Sequence, residues 1–206
     1  MKKLLLVLLF SVFVLSSTAF CVSDNYEAQI YEKEGMDFAS VGKFDEAIVS
    51  WSKAIEKSPD YPELYYFRGS AYAEKRELDL AISDFNRAIE LKPGFYEVFH
   101  NRGVVYGMKG DYVNAISDFD QAIKLKEDFP DAYYNRGKAY SEKGDYLSAI
   151  KDYSRAADLK SDLWDAYLQR SIAYKHLGMP EEARKDIDTI KAAGLPVPPE
   201  FEEDAR

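Results

Sequence analysis

The chain repeats itself every 34 residues, and that period limits what it can fold into more than any other feature. Gly35, Gly69, Gly103 and Gly137 share one column, which Ser171 completes. Ala47, Ala81, Ala115, Ala149 and Ala183 form a second, and Ala54, Ala88, Ala122 and Ala156 a third that ends at Ile190. Aromatic columns run beside them: Tyr31, Tyr65, Phe99, Tyr133 and Tyr167; then Phe38, Tyr72, Tyr106, Tyr140 and Tyr174. Trp51, Phe85, Phe119 and Tyr153 make one more, closed by Ile187. No insertion breaks the register across five copies. A period of this length marks an array of small units, each of which buries its apolar face only by stacking on the next.

Within a copy the apolar residues recur three, four or seven apart, the period of a helix. In the first copy Tyr31, Gly35 and Phe38 mark the face of one helix, and Ala47, Trp51 and Ala54 the face of a second. Small residues let the two helices approach closely, and the aromatic rings fill the volume beside them. Gly42 supplies the positive φ that ends the first helix, and Gly110, Gly144 and Gly178 repeat the stop. Arg76 stands there in the second copy, which predicts a turn that is strained or differently shaped. Pro59, Pro62, Pro93 and Pro130 punctuate the joints, where proline can open a helix.

These columns resemble the tetratricopeptide repeat (TPR) family over residues 28–197. The resemblance implies an all-α fold: an α-solenoid of five tandem helix–turn–helix repeats, wound as a right-handed superhelix with a concave groove. The copies run 28–61, 62–95, 96–129, 130–163 and 164–197. The fifth departs, with Ser171 for Gly, Pro180 for an aromatic residue and Ile190 for Ala. Its second helix carries Arg184, Lys185, Asp188 and Lys191, a polarity suited to a terminal cap. Gly194, Pro196, Pro198 and Pro199 then stop the helix, and 198–206 reads as an acidic tail.

The N-terminus reads differently. Lys2 and Lys3 precede an apolar run, Leu4–Phe10 and Val12–Leu15, followed by the small residues Ser16 to Ala19. This layout predicts a secretory signal over 1–21, a linker over 22–27 and an exported chain, periplasmic or secreted. The alternative is an uncleaved anchor, although the apolar part is short against the roughly 20 residues of a spanning helix. Cys21 is the only cysteine, so no internal disulfide forms. Lipidation of Cys21 would hold the chain on a membrane facing the periplasm; Phe20 departs from the small residue such processing takes, which favours an idle Cys21 beside the cut. A membrane is therefore a partner only if the N-terminus is retained or lipidated. Loss of Lys2 and Lys3 takes the net charge from −9 to −11, a balance that repels nucleic acid.

Two charged columns cross the repeats. Arg68, Arg102, Arg136 and Arg170 form one; Asp84, Asp118, Asp152 and Asp186 follow sixteen residues later. The first copy lacks both, with Glu34 and Ser50 in their places. Joint presence and joint absence point to a structural ion-pair ladder rather than an arginine ladder for anions, because a partly buried Arg needs an acidic partner.

The resemblance places the inner face of each first helix along the groove. The matching positions are Glu32, Tyr66, His100, Tyr134 and Leu168; Lys33, Phe67, Asn101, Asn135 and Gln169; and, a turn later, Met36, Ser70, Val104, Lys138 and Ile172. From them the candidate partner-binding set is Tyr66, Phe67, Ser70, His100, Asn101, Val104, Tyr134, Asn135, Lys138, Leu168 and Gln169, of which about half are expected only to solvate the surface. Amides bond a peptide backbone, and Tyr offers contact area at low entropy cost. Some family members grip a chaperone's C-terminal carboxylate with cations; here that line reads Gln29, Glu63, Glu97, Asp131 and Asp165, which would repel it. The expected partner is a protein or extended peptide segment with some Lys or Arg.

No catalytic set assembles. His100 and His176 lie on different repeats, no cysteine can join them on a metal, and neither a phosphate-binding glycine loop nor a Gly-x-Ser-x-Gly elbow occurs. Cofactor and metal are expected to be absent. The sequence thus predicts a binding scaffold that organises an envelope complex. The alternatives are a lipoprotein assembly factor acting through Cys21 and a regulatory subunit of a separate enzyme.

Overall fold

The computed structural model describes residues 26–198. The signal segment, Cys21 and 199–206 of the tail lie outside the described residues. Ten helices and no strand occur among the described residues. In chain order they are α1 (26–40), α2 (Phe44–Lys57), α3 (Pro62–Glu74), α4 (Leu78–Leu91), α5 (Tyr96–Met108), α6 (Tyr112–Leu125), α7 (Pro130–Glu142), α8 (Tyr146–Leu159), α9 (Trp164–His176) and α10 (Pro180–Ala192). Positions 26 and 27, read as linker from the sequence, are already helical. The chain divides into two compact units, with α1–α4 in the first, up to Pro93, and α5–α10 in the second, from Gly94.

Five helices begin on a local signal, and the first helix of each copy ends on one. Pro62, Pro130 and Pro180 open α3, α7 and α10, where a missing N–H costs nothing. The Asp111 and Asp145 side chains accept the Asn114 and Ser148 backbone N–H groups at 3.2 and 3.1 Å, capping α6 and α8. Every first helix closes the same way. Gly42, Gly110, Gly144 and Gly178 take positive φ, and the next N–H bonds back to the helix: Lys43 to Phe38, Asp111 to Tyr106, Asp145 to Tyr140 and Met179 to Tyr174, all at 2.9–3.0 Å.

Arg76 keeps this turn unchanged in shape. It adopts φ 64°, and the Glu77 N–H still reaches the Tyr72 carbonyl at 2.9 Å. The strain expected from a side chain in the left-handed region is present; the altered geometry is not. The turn's own backbone bonds hold it, the Arg76 N–H reaching the Ala73 carbonyl at 2.9 Å beside the Glu77 bond. Arg76→Gly is expected to raise stability by about 0.5–1 kcal/mol, read as a higher urea midpoint with unchanged slope.

Within each of the first four copies the core forms where a ring of the second helix lies on a glycine of the first. A Cβ added at Gly69 would stand 2.9 Å from Phe85, at Gly103 2.8 Å from Phe119 and at Gly137 2.8 Å from Tyr153. Gly35 faces Trp51 in the same way, and the Trp51 indole N–H donates to the Glu32 carbonyl at 3.2 Å. Around these contacts Ala47, Ala54, Ala81, Ala88, Ala115, Ala122, Ala149 and Ala156 are fully buried, which explains their columns. In the fifth copy Ser171 replaces the glycine, and Ile187 and Ile190 pack with Trp164, Tyr167, Leu168, Ile172 and Val197.

Candidate functional site

An exposed row of the repeated guanidinium groups would bind anions. Each Arg makes a two-pronged pair with the Asp sixteen residues on. Nε and Nη2 of Arg68 reach Asp84 at 2.8 Å, and those of Arg136 reach Asp152 at 2.7 Å. Arg102–Asp118 and Arg170–Asp186 repeat the geometry at 2.6–2.9 Å. The four aspartates are buried. The remaining prong ties one copy to the copy before it: Arg68 Nη1 donates to Ser52 at 3.0 Å, Arg136 to Asp120 at 2.6 Å and Arg170 to Ser154 at 2.8 Å. The first copy substitutes a hydroxyl–carboxylate hydrogen bond, Ser50 donating to Glu34 at 3.0 Å. The arginines are scaffolding, with their donors spent inside the molecule.

In the second unit α5 packs beside α7 and α7 beside α9, so the first helices of three copies form one row. His100, Asn101, Val104, Tyr134, Asn135, Leu168 and Gln169 are half-buried on that row and Lys138 is exposed. Several have tasks of their own. Val104 packs on the Ala115–Phe119 cluster, Tyr134 on the cluster around Tyr153, and Leu168 on Ile187 and Ile190. In the first unit Tyr66, Phe67 and Ser70 are half-buried; Phe67 stacks on Trp51 with centroids 5.7 Å apart, and the Ser70 hydroxyl donates to the Tyr66 carbonyl.

His100 is the member least legible from sequence. Its Nε2 lies 3.0 Å from the Asn135 amide nitrogen and its Nδ1 3.1 Å from Asn101 Oδ1. Its ring sits 4.9 Å from Phe129 and 5.7 Å from Phe119. A neutral imidazole protonated on Nδ1 satisfies both bonds, accepting from Asn135 and donating to Asn101. Burial pushes its pKa below the ordinary histidine value, against the opposing pull of Asn101 and Asp131. The unfolded chain therefore binds this proton more readily than the folded one. The stability that neutral His100 carries is complete above the ordinary histidine range, about 6.5, and is lost as pH falls through that range to the lowered folded value. Urea melts from pH 7.5 down to 5 should show the wild type losing stability at up to about 1.4 kcal/mol per pH unit, with a shallower slope for His100→Asn.

A cleft of about 280 Å³ opens between α5 and α7. Val104, Gly107, Met108, Tyr112, Phe119 and Ala139 line it, with Asn135, Lys138 and Glu142 among the polar groups. Gly107, Met108, Tyr112 and Glu142 were not among the sequence candidates. The acidic line is real but uneven: Asp131 and Asp165 are exposed, whereas Glu63 is half-buried and accepts from Lys92 at 2.8 Å. Beside it, burial and then Glu63 raise the Glu32 pKa. Among the described residues no group of three or more His, Cys, Asp or Glu could hold a metal, and no helix is long and apolar enough to cross a membrane.

Helix pairs at a fixed period, glycine–aromatic packing and a row of half-exposed first-helix residues define a class of repeat protein. Tetratricopeptide repeat family models match 35–75 and 108–144, and 62–95 and 130–163, together more than half of the chain. The chain belongs to the tetratricopeptide repeat family. Among solved structures it is similar to a MamA protein, with 26% identity and a TM-score of 0.74 over 84% of this chain and 98% of that one. MamA 41-end from Desulfovibrio magneticus RS-1 shares the fold at 18% identity and a TM-score of 0.76, covering 87% and 97%. YrrB, described as a TPR protein with an unusual peptide-binding site, shares it at 21% identity and 0.69, covering 82% and 89%. No curated protein matches the chain. The fold class is thus the all-α TPR solenoid, a scaffold type that is generally non-enzymatic and consistent with protein–protein interaction.

Proposed function

We propose that this chain is an exported scaffold, itself without catalytic activity, that holds an extended segment of a partner protein against its first-helix row. The row of half-exposed Asn101, Tyr134, Asn135 and Gln169 on adjacent helices carries this reading, since the arginines are spent on internal pairs. Amides beside aromatic rings suit a peptide backbone. The exposed Asp131 and Asp165 favour a segment with some Lys or Arg. The peptide-binding site described for YrrB supports a ligand of the same class. Export rests on the Lys2–Ala19 layout, and an exported scaffold of this kind would serve an envelope complex.

Asn101→Ala, Lys138→Ala and Gln169→Ala combined should reduce partner capture in affinity purification at least tenfold while the chain stays folded by circular dichroism. Tyr134 is left in place because it leans on Tyr153, ring centroids 5.9 Å apart. Undiminished capture would move the site off this row. Mass spectrometry of the mature N-terminus tests export separately: a free residue at 20 or beyond Cys21 supports release, and a lipidated Cys21 supports the membrane-anchored alternative.

A further inference from the structure

We propose that the cleft between α5 and α7 seats one large unbranched or γ-branched apolar side chain, Met or Leu, from the partner segment, with an acidic residue beside it facing Lys138. This rests on the peptide-binding reading above and specifies its chemistry.

The repeat itself exposes the exception. Where Gly107 stands, the other copies have Ala39, Ala73, Ser141 and Lys175; where Met108 stands, they have Ser40, Glu74, Glu142 and His176. The glycine answers no structural need. Gly107 is helical, does not take positive φ, and a Cβ added there would meet nothing within 4 Å. Glycine in a helix costs up to about 1 kcal/mol against alanine, and here packing does not require it. What it does is leave the cleft open. Met108 places a pliable apolar side chain, 41% exposed, where two other copies have a glutamate. Phe119, Val104 and Ala139 add the apolar lining.

Size and charge narrow the occupant. A volume of about 280 Å³ is below the usual range of small-molecule pockets, about 300–1,000 Å³, and suits a single side chain. Lys138 and Glu142 stand one helical turn apart at the rim. Glu142 faces the Tyr112 hydroxyl at 3.4 Å. Lys138 is exposed, rests over the Tyr134 ring at 5.7 Å and has no carboxylate partner among the described residues. An acidic residue next to the anchor would pair with it, and a basic one would be repelled. Asn135 gives its amide N–H to His100, which leaves its carbonyl oxygen to accept a backbone N–H of the segment.

The test is an NMR titration of the isotopically labelled full chain with synthetic Ser/Gly peptides carrying a central Asp-Leu, Asp-Met, Lys-Leu or Asp-Ser pair. Asp-Leu and Asp-Met should shift the Met108 methyl and the Gly107 amide. Asp-Ser should bind at least tenfold more weakly, and Lys-Leu several-fold more weakly. Gly107→Leu fills the cleft and should abolish the shifts, with the rest of the spectrum reporting an intact fold. Met108→Glu, which restores the residue of the second and fourth copies, should weaken Asp-Leu binding at least tenfold by an independent route. Equal binding of Asp-Ser and Asp-Leu, indifference to either variant, or no peptide-induced shift at Met108 overturns the proposal. Loss of partner capture in the triple variant alongside any of those results leaves the row reading standing and removes only the anchor. Retained capture with specific Asp-Leu shifts does the reverse.

Discussion

Arg136→Met should destabilise the chain by about 3–5 kcal/mol, the cost of a buried carboxylate left without its cation. Asp152 keeps only 7% of its side-chain surface exposed, and both its oxygens are held by the one guanidinium at 2.7 Å. Burial already pushes the Asp152 pKa up, and Arg136 is the group that pulls it down. Arg136 also reaches Asp120 of the preceding copy, but that carboxylate is 47% exposed, so water can replace most of what it loses. The double variant Arg136→Met, Asp152→Leu should recover most of the loss, because it removes charge and counter-charge together. Urea melts of the wild type, both single variants and the double variant give the coupling energy, expected at about 3 kcal/mol or more, the upper end for side chains in direct contact. Additive losses would show that the two side chains act independently.

The same substitution four residues apart on α5 should have opposite signs. Gly103→Ala should cost about 1–3 kcal/mol, since its new methyl would stand 2.8 Å from the buried Phe119 ring, and the ring or the helix must shift to admit it. Gly107→Ala should instead raise stability by about 0.5–1 kcal/mol, because the methyl enters open space and the helix gains propensity. Thermal or urea melts of the two variants check the pair. Equal effects would mean that α5 shifts to accommodate either methyl, and would weaken the distinction between a packing glycine and a cleft glycine.

That pair also shows how far sequence reasoning reaches. Gly103 is legible because its neighbour Phe119 sits sixteen residues on, and the same offset joins Gly69 to Phe85 and Gly137 to Tyr153. The Arg–Asp ladder is legible for the same reason, whereas the bond from Ser50 to Glu34 in the copy that lacks it comes from the structure. Gly107 is visible in the sequence only as a break in a column. Whether a break is tolerated drift, a packing adjustment or an opening depends on the space around it, and space is a property of the neighbours' coordinates. His100 and Asn135 are a similar case. Both belong to the first-helix face, but that one amide bonds that one ring follows from side-chain directions, not from spacing. Leu168, expected in the groove, is drawn partly into the terminal cluster because Ile187 and Ile190 leave apolar surface to cover.

By itself, then, the sequence determined the repeat, the helix pairs, the family and the scaffolding role of the arginines. Those features rest on contacts at fixed short offsets, repeated copy after copy, so each is confirmed by its own recurrence. Only the tertiary structure decided which first-helix residues are spent on packing, that Arg76 holds the left-handed turn without reshaping it, and that the row opens into a cleft at Gly107. Those depend on single positions where the repeat is broken, and there the outcome is set by how neighbouring copies divide one shared volume between side chains and solvent.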